Sequence, residues 1–238
     1  MNREGIKKQR ESDNKDRHIQ QLQDSKARRR GEPVLTRRAA TMKIKPAFLI
    51  VCEGKNTEPS YFNQFRLTSA TIKAVGKGFN TTAVVKQAKQ LAKEDTYDQV
   101  WVVFDRDLHS LQNFNNAIKM AEKFGFGVAY SNQAFEYWLI LHFNDHQGSK
   151  LHRSRYNDLI NEYLKPYNIS YDGQGSKRIT PEFFNLMQDI DPLTRKSRQS
   201  LAIKRARKIQ DNLTTKNFAT AESSTTVFRL IEEITQYL

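Results

Sequence analysis

Carboxylate side chains follow two apolar segments of the chain. Residues 48–52 are Phe-Leu-Ile-Val-Cys and lead directly into Glu53, and residues 100–104 are Val-Trp-Val-Val-Phe and lead into Asp105 and Asp107. Side chains two apart at a strand end project to the same side. If both segments are parallel strands, their carboxyl ends share one edge of the sheet, so the three carboxylates converge there.

Three carboxylates at one edge suggest a site for a hard divalent cation. Mg²⁺ and Mn²⁺ prefer oxygen ligands, keep several waters and take phosphate oxygens as further ligands. We therefore expect Glu53, Asp105 and Asp107 to hold Mg²⁺ or Mn²⁺ against a phosphodiester, and to act in its cleavage. Glu53 could instead serve as a general acid or base. Lys55 is placed to contact a phosphate, and no cluster of Cys and His indicates zinc.

Strands and helices are predicted to alternate over residues 45–131. The five-residue apolar runs are typical of strands buried on both faces, and Gly54 permits a tight exit from the first of them. Helical periodicity separates the predicted strands, and Thr57 provides a hydroxyl cap for the first helix. This alternation predicts an α/β core over residues 45–146, with a parallel sheet covered by helices on both faces.

Residues 131–143 form an apolar segment that we predict to be one capped helix. Glu136 is the exception in this segment, because a carboxylate in so apolar a sequence is costly unless it is paired, hydrogen-bonded or bound to a metal. We predict a catalytic role for Glu136; the alternative is a buried partner for an arginine or a backbone group. His142 is predicted to be structural.

The excess positive charge lies in the flanks. The formal net charge is +13, and residues 45–145 hold eleven Lys/Arg against ten acids, so the core is nearly neutral. Residues 1–44 are predicted to be a basic arm that either binds phosphate or is solvated, and residues 147–238 to be mainly helical. Such flanks favour a polyanionic partner, RNA or DNA.

The predicted helical region 147–238 contains a basic cluster. From Leu193 to Lys208 there are seven Lys/Arg and no acid, which indicates a substrate channel or an ordinary solvated face. Residues 167–180 are predicted to be a surface loop. The predicted substrate contacts of the whole chain are Lys55, Thr57, Asn132, Arg205 and Lys208.

Composition excludes several classes of protein. With 238 residues the chain is long enough to bury a core. Cys52 is the single cysteine, which excludes an intramolecular disulfide. Neither a membrane-spanning apolar run nor a signal-type segment is present in the sequence, so we expect a cytoplasmic protein without a membrane partner.

Four separated motifs carry a resemblance to a known family. The order of strand-Glu-Gly and strand-Asp-x-Asp resembles the Toprim fold of topoisomerases, primases and overcoming-lysogenization-defect nucleases. More narrowly, the chain resembles the RloB family over roughly residues 45–238, although Gln133 stands where many members are expected to have proline. The motifs are Cys52-Glu53-Gly54 with Thr57-Glu58 and Tyr61-Phe62, Asp105-x-Asp107, Ser131-Asn132 with Phe135-Glu136-x-Trp138-Leu139 and His142-Phe143, and Ser224-Thr225-Thr226-Val227.

The resemblance implies a Toprim-like nuclease effector of bacterial phage defence, similar to abortive-infection proteins that are paired with an AAA or ABC-type ATPase. It implies that Glu53, Asp105 and Asp107 are the acids of the metal site, and that Glu136 is a further site residue specific to this family. tRNA, other RNA and DNA remain alternative substrates, and a homo-oligomer remains open. Two rivals are a non-catalytic module that docks on the ATPase and a phosphoryl or nucleotidyl transferase for a small substrate, against which the basic flanks argue.

Overall fold

The structure is a computed structural model. It describes residues 13–24, 46–74, 81–106, 111–214, 217–221 and 223–238. Contacts divide the chain into two units, Met1–Ile44 and Lys45–Leu238. In the first unit the described residues 13–24 form helix α1, with exposed side chains. The arginines and lysines that define the predicted phosphate-binding arm outside α1 lie beyond the described residues, so that role stays a prediction.

The second unit is built on a four-stranded parallel sheet, as predicted. The strands are β1 (Phe48–Cys52), β2 (Ala70–Ala74), β3 (Gln99–Arg106) and β4 (Gly127–Asn132), and their order is β2-β1-β3-β4. Every pair in this order is parallel. All five residues of β1 are buried, which explains its uninterrupted apolar sequence.

Helices cover both faces of the sheet and continue to the C-terminus, which confirms the predicted α/β class with a helical C-terminal region. They are α2 (Thr57–Asn63), α3 (Thr81–Leu91), α4 (Leu111–Lys123), α5 (Glu136–Ile140), α6 (Tyr156–Leu164), α7 (Pro181–Gln188), α8 (Arg198–Asp211) and α9 (Val227–Thr235). Over the described ranges, none of the helices is both long and apolar enough to cross a bilayer.

Two apolar clusters form the core, one on each face of the sheet. Leu49 and Val51 of β1 pack with α3 and α4. Phe48 and Ile50, which point to the opposite face, pack with α2 and α5–α9. The C-terminal helices therefore share one apolar core with the sheet.

The prediction of a single helix over residues 131–143 is wrong. Ser131 and Asn132 are the last residues of β4, in register with Asp105 and Arg106 of β3. Helix α5 has only five residues, and its N-cap makes no side-chain hydrogen bond. The chain turns at Gln133, whose φ of 73° interrupts both strand and helix. Proline cannot adopt that φ, so a relative with proline here must turn differently.

A segment near the C-terminus fastens the carboxyl end of β4. Thr225 forms an antiparallel bridge with Ser131, and the Thr226 amide donates to the Tyr130 carbonyl at 2.8 Å. The Asn132 amide donates to the Ser224 carbonyl, also at 2.8 Å. These bonds satisfy backbone groups of β4 on the side away from β3.

Candidate functional site: a cluster of carboxyl groups at the sheet edge

Glu53 and Asp105 lie side by side at the carboxyl ends of the two central strands. The Glu53 amide donates to the Val103 carbonyl at 2.9 Å, so pairing with β3 continues one residue beyond β1. The Glu53 carboxylate in turn accepts a hydrogen bond from the Asp105 amide at 3.3 Å. Burial raises the pKa of Glu53 to about 7, and the hydrogen bond from Asp105 opposes that rise.

Glu58, in the first turn of α2, is a third acid of the site. Its side chain is 5% exposed. A Cβ on Gly54 would overlap the Glu58 carboxyl group, 2.7 Å from its Cδ, so glycine is required at position 54 for this contact. Burial raises the pKa of Glu58 to about 7; backbone amides of Glu58 and Gly54 oppose the rise, and the charges of Glu136 and Glu53 add to it.

Glu136 reaches the same place from the first turn of α5. It is 8% exposed, and its Oε1 accepts a hydrogen bond from the Tyr171 hydroxyl at 2.9 Å. Burial raises the pKa of Tyr171, as do the charges of Glu136 and Glu58, whereas a hydrogen bond with the Thr57 side chain lowers it. Tyr171 therefore holds Glu136 from one side of the cluster.

Asp105 faces the other carboxyl groups from β3. The residue is half-buried, and its Oδ1 is enclosed without a hydrogen-bond partner in the structure. Burial raises the pKa of Asp105 well above its usual value, and the charges of Glu58, Glu136 and Glu53 raise it further. We call Glu53, Glu58, Asp105 and Glu136 the acidic cluster.

The acidic cluster has the donor chemistry of a site for a hard divalent cation. Its donors are carboxylate oxygens, one of them enclosed and unpartnered. A bound cation would offset the repulsion by neighbouring carboxylates that adds to the effect of burial on the pKa values of Glu58 and Asp105. Within the described residues, however, no three His, Cys, Asp or Glu side chains are arranged as metal ligands. Asp107, the third predicted ligand, lies outside the described residues, so its role stays a prediction.

Lys55 and Thr57 occupy different positions in the turn between β1 and α2. Lys55 is exposed. Thr57 is 5% exposed and is the first residue of α2 rather than its cap, because Asn56 is the N-cap residue and makes no side-chain cap bond. The Thr57 hydroxyl is engaged with Tyr171. Both residues therefore flank the cluster, Lys55 toward solvent and Thr57 toward Tyr171.

Asn132 is fully buried and its amide nitrogen is used within the protein. Nδ2 donates to the carbonyls of Ala221 at 2.6 Å and Phe218 at 3.1 Å. Its Oδ1 is enclosed without a partner in the structure. The observed contacts thus give Asn132 a role in holding the C-terminal segment, and the predicted substrate contact has no support from them.

The basic residues of α8 make contacts away from the start of α5. Arg205 Nη1 donates to the Leu141 carbonyl at 2.7 Å, at the C-terminal end of α5, and Lys208 is exposed. Arg198 is buried, donates to the Leu186 carbonyl and the Tyr167 hydroxyl, and Arg207 pairs with Glu232. Arg198, Arg205 and Arg207 of the predicted channel therefore make contacts within the protein. The other lysines and arginines of the cluster are exposed and form a solvated basic face.

The observed contact of His142 is internal, and its Nε2 is enclosed without a hydrogen-bond partner in the structure, so its structural role stays a prediction. It is buried, and its Nδ1 lies 3.0 Å from the Trp138 carbonyl oxygen. Burial lowers the pKa of His142 to about 3, so the ring is neutral at ordinary pH.

Sequence reasoning missed Glu58 and Tyr171. The available signal for Glu58 was its position five residues after Glu53. Gly54 lies between them, and only a residue without a side chain leaves room for the Glu58 carboxyl group. The predicted surface loop 167–180 contains Tyr171, which is 3% exposed. A large aromatic residue within a segment of Asn, Gly and Ser was the available signal that part of this loop is anchored in the core.

Comparison with known proteins supports one relationship. Neither a curated protein nor a solved structure gives a significant match to the chain. The profile of the RloB-like protein family matches residues 48–234, which include the sheet, the acidic cluster and the C-terminal helices. The chain therefore belongs to the RloB-like protein family.

Proposed function

We propose that the protein is a Mg²⁺- or Mn²⁺-dependent phosphodiesterase that cleaves nucleic acid, a Toprim-like effector of antiphage defence. The observation that carries this proposal is the convergence of four carboxyl groups at the carboxyl ends of β1 and β3, with the enclosed, unpartnered Oδ1 of Asp105 among them. Ligands of open parallel sheets bind at this edge. The basic flanks suit a polyanionic substrate.

In this function Glu53, Asp105 and Asp107 hold the cation. When bound, the cation polarises the phosphodiester and activates water for its hydrolysis. The alternative role of Glu53, as a general acid or base outside the ligand set, is suited by its pKa of about 7 in the metal-free protein. Glu136 is oriented by Tyr171, and Lys55 is exposed beside the cluster, where it can contact the phosphate.

A cleavage assay tests the proposal. Labelled tRNA, single-stranded DNA and duplex DNA are incubated with the protein, with and without Mn²⁺. The Glu53→Gln and Asp105→Asn variants are expected to lose activity at least about a hundredfold. Glu122→Gln changes an exposed acid of α4 on the other face of the sheet and serves as the matched control. Equal activity in Asp105→Asn and Glu122→Gln would refute the proposed site.

A second candidate function is a non-catalytic module that docks on a partner ATPase. The exposure of two large apolar side chains in the connection between α7 and α8 favours it: Leu193 is 91% exposed and Ile190 is 57% exposed. Absence of metal-dependent cleavage of every substrate, also with the partner ATPase present, would favour this candidate over the enzyme.

A further inference from the structure

A small pocket lies next to the acidic cluster. Its volume is about 190 Å³, and it lies between the N-terminal end of α6 and the segment that follows Tyr171. Arg153 and Lys177 supply positive charge to its wall, and Glu136 and Tyr171 line its inner side. Because Glu136 belongs to the acidic cluster as well, the pocket adjoins the candidate site.

The wall that carries Arg153 is fixed by hydrogen bonds from backbone amides to side-chain oxygens. The Arg153 amide donates to Gln133 Oε1 at 2.8 Å, so the turn after β4 holds the start of this wall. The Gly173 amide donates to Asn157 Oδ1 at 3.0 Å and joins the two sides of the pocket. A Cβ on Gly173 would lie 2.7 Å from that same oxygen, so a side chain here would separate the two sides.

The wall that carries Lys177 is a tight turn organised by Asp172. The Asp172 carboxylate accepts hydrogen bonds from the amides of Gly175 at 2.8 Å and Ser176 at 2.7 Å. The Asp172 carbonyl accepts from the Lys177 amide at 2.9 Å. Lys177 adopts a φ of 53°, which non-glycine residues seldom do. The turn thus fixes the backbone position from which the Lys177 side chain lines the pocket.

The charges that line the pocket favour a monoanionic occupant. Arg153 and Lys177 bring two positive charges, and Glu136 brings one carboxyl group whose Oε1 accepts from Tyr171. Amide groups of Asn157 and Gln174 add neutral hydrogen-bonding capacity. Arginine and lysine are the usual contacts of phosphate oxygens, and a phosphodiester carries a single negative charge.

We propose that this pocket binds one phosphodiester group of a polynucleotide strand, next to the group that lies at the acidic cluster. Arg153 and Lys177 are its phosphate contacts. The inference rests on the proposed function for the identity of the occupant as nucleic acid. It adds a direction to that function, because the strand then runs from the cluster past Glu136 toward α6.

Binding without cleavage tests the pocket. Fluorescence anisotropy of fluorescein-labelled oligothymidylate is measured in EDTA over a series of salt concentrations. Arg153→Ala and Lys177→Ala are each expected to weaken binding about tenfold at low salt. Each should also make the fall of the logarithm of the association constant with the logarithm of salt concentration less steep, by about 0.7. Lys177→Arg is expected to retain binding. Lys119→Ala, an exposed lysine of α4 on the other face of the sheet, is the control and is expected to match the wild type.

The outcomes separate the pocket from the catalytic proposal. Weakened binding in both alanine variants, with unchanged thermal unfolding and wild-type binding by Lys119→Ala, supports the pocket even if the protein cleaves nothing. Wild-type affinity in Arg153→Ala and Lys177→Ala overturns the pocket, and so does absence of binding by the wild type. Loss equal to theirs in Lys119→Ala would show general electrostatic attraction and would also overturn it.

Discussion

Replacement of Glu58 by glutamine should change how the stability of the protein depends on pH. Glu58 is buried beside Gly54 and within the field of Glu136 and Glu53, and its pKa in the folded protein is about 7, against 4.5 when it is unperturbed. The folded state therefore binds the Glu58 proton more tightly than the unfolded state does. Below pH 4.5 both states are protonated and the group costs nothing.

The cost develops between pH 4.5 and about 7. As pH rises through this window the unfolded state loses the proton first, so the free energy of unfolding falls until the folded state ionises as well. Each pKa unit corresponds to about 1.4 kcal/mol, so Glu58 should cost the metal-free protein about 3 kcal/mol at pH 8. Glutamine cannot ionise and avoids that cost.

Urea unfolding in EDTA at pH values from 4 to 8 measures this difference. The free energy of unfolding of Glu58→Gln minus that of the wild type should increase toward pH 8 by up to about 3 kcal/mol. His142, with its lowered pKa of about 3, acts in the opposite direction between pH 6.5 and 3 in both proteins and cancels in the difference. A difference that is constant across this range would refute the buried, mutually repelling arrangement of the acidic cluster.

Three further variants test other parts of the site. Gly54→Ala should lower the free energy of unfolding by about 1–3 kcal/mol in urea melts, because the new methyl group displaces the Glu58 carboxyl group, and an unchanged free energy would contradict this close approach. Asn132→Ala should cost about 1–3 kcal/mol, since the carbonyls that accept from its amide nitrogen lose their donor, and an unchanged melt would refute this role. Asp105→Asn should abolish the rise in melting temperature that Mn²⁺ is expected to give the wild type at pH 8, and a rise of equal size in the variant would contradict Asp105 as a ligand.

The sheet and its two acids could be predicted because their signals are local. An uninterrupted run of buried residues identifies β1, and the chain leaves that strand directly into Glu53, so the edge on which the acid lies follows from the direction of the strand. Asp105 follows the last apolar residue of a second such run, and the structure pairs the two strands in parallel with Cys52 opposite Val103, so both acids lie at the same edge.

The contacts of Glu136 and Asn132 could not be predicted in the same way because they depend on distant segments. Residues 134–141 are apolar except for Glu136, and such a segment does not reveal where a strand ends and a helix begins. The end of β4 is set by its partner at Thr225, and the environment of Glu136 by Tyr171. Both partners come from parts of the chain whose own sequence pattern says nothing about the sheet.

The fastening of β4 by Ser224, Thr225 and Thr226 means that the site is assembled late in synthesis. A ribosome that has released the chain only as far as α8 has produced all four acids of the cluster, but the Asn132 amide and its side chain still lack the acceptors they use in the finished fold. A nascent or truncated chain of that length would contain all four acids of the cluster, but β4 would lack the hydrogen bonds that Ser224, Thr225 and Thr226 make to its end.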